Sequence, residues 1–127
     1  MRAIKKFFPL WLLALLLAGC TTTITNLTPN QAVRNSSGLY PVGAAWESAK
    51  QSIQDNTLKA YVLIDMKTYP MQRTPMVNNR WETLIPVPAD ENTINYRFKF
   101  DYQYLGIPHR EENSVLSPIY HLQIIDN

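Results

Sequence analysis

The chain has few of the residues on which enzymes and disulfide-bonded proteins depend. Its 127 residues include one cysteine, two histidines and four glycines. A single cysteine excludes an internal disulfide. No serine lies in a Gly-x-Ser-x-Gly turn, and the sequence has no glycine-rich phosphate loop. We therefore predict no catalytic residues, no cofactor and no enzymatic activity.

Net charge is also small once its distribution is considered. Twelve basic residues stand against ten acidic ones, and Arg2, Lys5 and Lys6 lie in an amino-terminal segment that we predict to be removed. Subtracting these three from twelve leaves nine basic residues against ten acidic ones, a net charge of −1. A nearly neutral domain with no basic run has no positively charged surface to attract nucleic acid, so we predict no nucleic-acid partner.

Adjacent acids are the remaining candidates for chemistry. Asp90-Glu91 and Glu111-Glu112 offer paired carboxylates, and His109 close to the second pair offers a metal ligand. Neighbouring acids on a turn are more often a solvated patch, and one histidine with two flexible acids is a weak ligand set. We predict no metal site.

The amino terminus has the pattern of a targeting segment. Three of the first six residues are basic, and the apolar run Phe7–Leu17 that follows is eleven residues long. That run is too short to cross a bilayer core of ~30 Å as a helix and is typical of a signal peptide. It ends at Leu17-Ala18-Gly19-Cys20, which closely resembles the lipobox of bacterial lipoproteins.

The lipoprotein resemblance implies a lipid anchor at Cys20. In that family the thiol receives a diacylglycerol, the peptidase cleaves before the cysteine, and the new amino terminus is usually acylated, for example with palmitate. Two or three chains hold firmly, since each buried CH₂ contributes ~0.8 kcal/mol. In enterobacterial lipoproteins an aspartate after the cysteine favours the inner membrane, and here Thr21 follows. The resemblance thus favours the outer membrane, facing the periplasm, with the inner membrane and the cell surface as alternatives.

The mature chain is organised around one alternating segment. From Ile94 to Tyr104 every even position is large and apolar or aromatic, and every odd position is polar or charged. A helix would spread these six large groups around its circumference, whereas a strand places them on one face. The segment therefore predicts a long strand in a sheet with one wet face.

Other parts of the chain predict strands that pair with it. Shorter alternations predict strands at 39–48, 58–66, 80–87 and 120–124, each with its apolar residues inward and, in the last, His121 and Gln123 outward. Proline turns at 69–76 predict a crossing between sheets, and 106–113 predicts a polar loop. Two interpretations stay open: residues 21–28 suit a tether or an edge strand, and 44–53 suit a strand or a short helix.

Six or seven strands in about 90 residues, with turn signals roughly every ten, predict an all-β, two-sheet antiparallel sandwich. Trp46, Tyr61 and Tyr96 resemble the core positions of immunoglobulin-like and fibronectin type III domains. The lack of a disulfide pair excludes an antibody-type domain. The expected organisation is a signal peptide at 1–19, a lipidated tether at 20–37 and the sandwich at 38–127.

The length of the central strand suggests a binding site. Eleven residues at ~3.4 Å each make it about twice the common strand length, so its far end could extend beyond the opposite sheet. Tyr102 and Tyr104 would then lie exposed beside His109 and Arg110, an arrangement that suits sugar stacking or protein binding. The alternative is that both tyrosines close the end of the core.

These patterns predict a lipid-anchored envelope lipoprotein that acts as a non-enzymatic structural or protein-interaction module. Its partners would be the membrane, through Cys20, and a protein of the envelope. The alternative function is a carbohydrate- or small-ligand-binding module that uses the Tyr102, Tyr104 and His109 end.

Overall fold

The computed structural model describes residues 22–48, 55–105 and 110–126. These residues form one 3₁₀ turn (Asp55–Thr57) and ten strands: β1 (Thr23–Asn26), β2 (Gln31–Val33), β3 (Leu39–Glu47), β4 (Lys59–Ile64), β5 (Lys67–Pro70), β6 (Gln72–Arg73), β7 (Arg80–Pro86), β8 (Thr93–Leu105), β9 (Arg110–Leu116) and β10 (Tyr120–Ile125). The count exceeds the predicted six or seven because β9 and the three short strands β2, β5 and β6, each of two to four residues, were not predicted.

The strands form two sheets that pack face to face. Sheet A has the order β1-β3-β7-β6, and sheet B has the order β2-β10-β8-β4-β5 with β9 also paired to β8. All pairings are antiparallel except that of β2 with β10, which is parallel. Two sheets of this order, with the first strand divided between them, form an immunoglobulin-like sandwich. The predicted all-β, two-sheet class is confirmed.

The core lies between the sheets and is built by alternation along each strand. Its buried apolar side chains are contributed by both sheets and by the connections that flank their strands: Tyr40, Val42, Ala44, Trp46, Leu58, Ala60, Val62, Ile64, Met71, Trp81, Ile85, Val87, Ile94, Tyr96, Phe98, Phe100, Tyr102, Leu122 and Ile124. The predicted inward faces of the strands at 39–48, 80–87 and 120–124 are confirmed by this set, although Thr83 and Tyr120 are only partly buried.

The alternating segment is confirmed as the central strand of sheet B. β8 pairs with β4 along one edge and with β9 and then β10 along the other. Phe98 and Phe100 have no exposed surface. The ring of Phe100 stacks on Trp46 of sheet A with centroids 4.8 Å apart, which ties the two sheets together.

A bulge divides the last strand into β9 and β10. Leu116 lies opposite Lys99, whereas Tyr120 lies opposite Tyr96, so one extra residue enters between the two pairings. Ser117 stabilises this step, because its amide donates to the Phe98 carbonyl at 2.9 Å and its Oγ accepts from the Phe98 amide at 2.8 Å.

The residues from Thr23 to Val33 are part of the fold. Of the two alternatives for 21–28, the edge strand is observed, as β1. Thr28 then redirects the chain toward sheet B: its Oγ1 donates to the Gly43 carbonyl at 3.2 Å and accepts from the Gly43 amide at 3.0 Å. β2 follows and pairs with β10. Much of the predicted tether at 20–37 therefore contributes to both sheets.

Three further expectations need correction. Tyr61 points outward and is partly exposed, because the inward positions of β4 are even-numbered. Met66 is 99% exposed in the turn after β4, where Asp65 has a φ of 54° and the alternation ends. Residues 110–113 belong to β9 and not to a loop. In the 44–53 segment, strand is observed to Glu47, and residues 49–54 lie outside the described chain.

The predicted crossing between sheets at 69–76 is confirmed. β5 pairs with β4 in sheet B, and β6, two residues later, pairs with β7 in sheet A. Met71, between them, is buried.

The sandwich has two ends, which the pairings of β3 define. Thr23 lies opposite Glu47, and Arg80 lies opposite Ala45, so β1 and β7 begin where β3 ends. We call this the Thr23 end. At the other end, the Leu39 end, β3 begins opposite Pro86.

Candidate binding surfaces

Tyr102 belongs to the core and does not overhang it. Its side chain is 3% exposed, and its ring lies 5.6 Å from that of Trp46 and 6.3 Å from that of Tyr104. The hydroxyl accepts a hydrogen bond from Asn113 Nδ2 at 3.1 Å. A ring covered in this way has no free face for a sugar. The prediction of Tyr102 as part of an exposed binding surface is therefore wrong, because β3 extends far enough for Trp46 to cover it.

Tyr104 is partly buried at the Thr23 end and is engaged within the domain. It lies directly opposite Glu111 on β9, and its hydroxyl donates to the Glu111 carboxylate. That hydrogen bond, with some desolvation and the negative charge of Glu111, raises the pKa of Tyr104 above 10.0.

The side chains of the remaining members of the predicted site are not described. His109 lies outside the described residues, as does Cys20, and Arg110 is placed in β9 by its backbone alone. The four residues Tyr102, Tyr104, His109 and Arg110 are thus not brought together as one exposed surface by what the structure describes.

The acidic pair of β9 is divided by the strand. Glu111 is opposite Tyr104, and Glu112 is opposite Gln103, so the two carboxylates point to opposite faces of sheet B. Glu112 accepts from Gln103 Nε2 at 3.3 Å. Within the described ranges there is no group of three histidine, cysteine, aspartate or glutamate side chains that could hold a metal.

An exposed apolar patch lies on the outer face of sheet A, and the sequence predictions missed it. Leu39 is opposite Pro86, and Pro41 is opposite Leu84, on the face that turns away from the core. Leu39 is 40% exposed and Leu84 is 54% exposed. We call these four residues the sheet A patch. The available signal was their outward position, since each directly precedes or follows an inward residue of the same strand.

An apolar cavity at the Leu39 end continues this patch. It has a volume of about 480 Å³ and is lined mainly by apolar residues of both sheets, among them Leu39, Ile64, Tyr69, Pro86 and Ile94. Leu39 and Pro86 belong to both features. The patch and the cavity therefore form one continuous surface that runs from the face of sheet A over the Leu39 end.

A polar groove of about 250 Å³ lies on the outer face of sheet B. Lys59, Tyr61, Asp101 and Gln103 line it, together with residues of β9. Lys59 and Asp101 are directly opposite each other in the β4–β8 pairing, and both point away from the core. The groove offers one partly exposed aromatic ring beside charged and amide groups.

Comparisons with known proteins assign this chain to no family. No protein-family model matches the sequence, and no curated protein matches it. Among solved structures, murine CRIg is similar, with a TM-score of 0.42 and 9% sequence identity. The match covers 83% of this chain and 98% of that chain. The immunoglobulin-like assignment is based on strand order and register.

No helix in the described part of the chain is long and apolar enough to span a bilayer.

Proposed function

We propose that this protein is a bacterial lipoprotein, anchored in the outer membrane through acylated Cys20, whose immunoglobulin-like domain binds another envelope protein in the periplasm. The lipobox Leu17-Ala18-Gly19-Cys20 supports the anchor. The start of the described chain agrees with it, because Thr22 already hydrogen-bonds Ser48 at 3.1 Å and leads directly into β1. The domain thus begins within two residues of the anchor.

The sheet A patch is the observation that carries the interaction role. A sheet face that only meets water needs polar outward residues, yet four paired outward positions here are leucine or proline. Contiguous exposed apolar side chains with a polar surround are typical of protein-binding surfaces. Glu82 and Gln72, which lie opposite each other beside the patch, provide such polar groups.

The anchor is tested by acyl labelling of growing cells. Cys20→Ala should abolish incorporation of labelled palmitate and release the protein from membranes, or leave an uncleaved precursor. A Ser52→Ala variant should label as the parent does. Label retained on Cys20→Ala would overturn the lipoprotein assignment.

The interaction surface is tested by site-specific photo-crosslinking in the envelope. A crosslinker at Leu84 should give a discrete protein adduct, whereas one at Ser114, exposed on the outer face of sheet B, should not. Leu39→Asp should remove the adduct without loss of folding, since Leu39 is already 40% exposed. Equal adducts from both positions would contradict the assignment of the patch.

A second candidate function is the binding of a small polar ligand or glycan in the sheet B groove. The partly exposed ring of Tyr61, which lines the groove together with Lys59 and Asp101, favours it. A glycan array probed with the acylated protein should then show binding that Tyr61→Ala removes. Binding that survives this change would place the ligand elsewhere.

A further inference from the structure

The turn between β6 and β7, residues 74–79, lies at the same end of the sandwich as Thr22, where the described chain begins. It is closed by the Thr74 amide, which donates to the Arg80 carbonyl at 2.9 Å. Asn79 then accepts from the Trp46 amide at 2.9 Å, and Trp46 is opposite Ile24. The turn therefore emerges level with the first residues of β1, at the Thr23 end.

Distances within the chain keep this turn close to the proposed anchor. Thr22 is the second residue after Cys20, and an extended chain spans at most ~3.6 Å per residue, so the acylated cysteine lies within about 7 Å of Thr22. β1 and β7 flank β3, and neighbouring strands are ~4.8 Å apart, so the two strands are about 10 Å apart. A bilayer that holds Cys20 is thus within reach of the turn.

The chemistry of the turn is that of a membrane contact. Met76 is 104% exposed, and Val77 is 47% exposed. Arg73 and Arg80 flank the turn, with the Arg73 guanidinium 4.4 Å from the centre of the Trp81 ring. Apolar side chains at a tip with cationic groups behind them suit the boundary between lipid headgroups and acyl chains. One acidic residue, Glu47, also lies at this end, where the adjacent strand β3 ends.

The backbone of the turn is not one that stability alone would select. Met76 has a φ of 63°, in the left-handed region that glycine or asparagine fills most easily. The Thr74 hydroxyl at the base of the turn is buried and has no hydrogen-bond partner. A strained backbone that presents a fully exposed methionine suggests a function for that side chain.

We propose that Met76 and Val77 form a second membrane contact, in which the β6–β7 turn enters the headgroup region of the bilayer that holds Cys20. This inference rests on the proposed acylation of Cys20. With two points of contact, the Thr23 end faces the lipid. The cavity at the Leu39 end then points away from the membrane, toward a partner.

The experiment compares two exposed methionines at opposite ends of the domain. Met66 is 99% exposed and lies beside the cavity of the Leu39 end, so it is a matched control for Met76. Met76→Cys and Met66→Cys are made in the acylated protein, whose Cys20 thiol is blocked by its lipid, and each is labelled with an environment-sensitive fluorophore. Each protein is added to vesicles of phosphatidylethanolamine and phosphatidylglycerol, with and without brominated acyl chains.

Bromolipid should quench the probe at position 76 several-fold more than the probe at position 66. Equal quenching at both positions in a protein that floats with the vesicles would overturn the second contact and leave the anchor intact. A protein that does not float with the vesicles would instead overturn the anchor itself, and the present inference with it.

Discussion

Phe98 and Lys99 are adjacent in β8, yet they occupy opposite environments. The Phe98 ring is fully buried and packs against Tyr96 and Tyr120 with centroids 5.6 and 5.9 Å away. The Lys99 side chain is 36% exposed on the outer face and pairs with Asp101 at 3.5 Å. The side chains on the buried face of β8 therefore contribute most of what this strand adds to the free energy of unfolding.

Phe98→Ala should lower the free energy of unfolding by ~3–5 kcal/mol, because it removes a large buried ring and leaves a cavity. Lys99→Ala should change it by less than about 1 kcal/mol, since an exposed ion pair is screened by water. Urea denaturation of both variants measures the difference. Similar losses would mean that the register of β8 is wrong.

The contact between Tyr104 and Glu111 makes the pKa of one tyrosine report on the β8–β9 pairing. Glu111→Ala removes both the hydrogen-bond acceptor and the negative charge, so the pKa of Tyr104 should fall toward 10.0. Glu112→Ala, on the opposite face, should leave it raised. Titration followed by the NMR signals of the Tyr104 ring measures both variants.

The same contact implies a loss of stability in alkali. Below pH 10.0 both the folded and the unfolded chain keep the Tyr104 proton, and the contribution is fully present. Above it the unfolded chain releases the proton first, so stability falls as pH rises through the higher folded-state pKa. An identical pH dependence in Glu111→Ala would contradict this account.

The step between β9 and β10 depends on a single buried hydroxyl. Ser117 is 2% exposed, and besides bonding Phe98 its Oγ donates to the Pro118 carbonyl at 2.8 Å. Arg97 Nη2 donates to the Ser117 carbonyl at 2.7 Å. These bonds satisfy the backbone at the step where the partner of β8 changes from β9 to β10.

Ser117→Ala should lower the free energy of unfolding by ~1–3 kcal/mol, because the buried Phe98 amide is left without an acceptor. Ser36→Ala, the same chemical change in an exposed turn, should have an effect within about 0.5 kcal/mol. Equal stabilities in urea denaturation would show that the bulge does not need the hydroxyl.

Strands that bury one face could be predicted, and strands held mainly by backbone pairing could not. β8 and β7 alternate clearly because Phe98 and Ile85 must leave water while their neighbours must not. β9 carries Glu111 and Glu112 on its two faces, both exposed, so its sequence resembles a loop. Its strand conformation comes from the ladder with β8, which no local pattern records.

The candidate surfaces were harder to predict because they depend on how far one sheet extends over the other. Tyr102 alternates with its neighbours whether or not Trp46 covers it, so the sequence left both outcomes open. The sheet A patch required the register of β3 against β7, which places Pro41 beside Leu84. Neither fact follows from the spacing within a single strand.

β1 and β2 connect the beginning of the described chain to both sheets, β1 to sheet A and β2 to sheet B. Ile24 and Ala32 pack against the core, and Asn26 Nδ2 donates to the Tyr96 hydroxyl at 2.9 Å. Arg34, after β2, reaches Asp126 at 2.6 Å and Asn92 Oδ1 at 2.6 Å. A domain that began at residue 38 would lose all of these contacts.

A fragment of residues 38–127 should therefore fail to fold, whereas residues 22–127 should give a cooperative thermal transition. Loss of β1 and the residue after it opens the edge of β3 and removes the hydrogen bond of 2.9 Å from the Leu27 amide to the Gly43 carbonyl, and loss of β2 opens the edge of β10. Circular dichroism of the two fragments makes the comparison.

Arg34→Ala in the longer fragment is the control. This variant should fold and melt at a slightly lower temperature, because it removes one exposed cluster of polar contacts but neither strand. A shorter fragment that melts at the temperature of the longer one would show that β1 and β2 are dispensable and that residues 20–37 do serve as a tether.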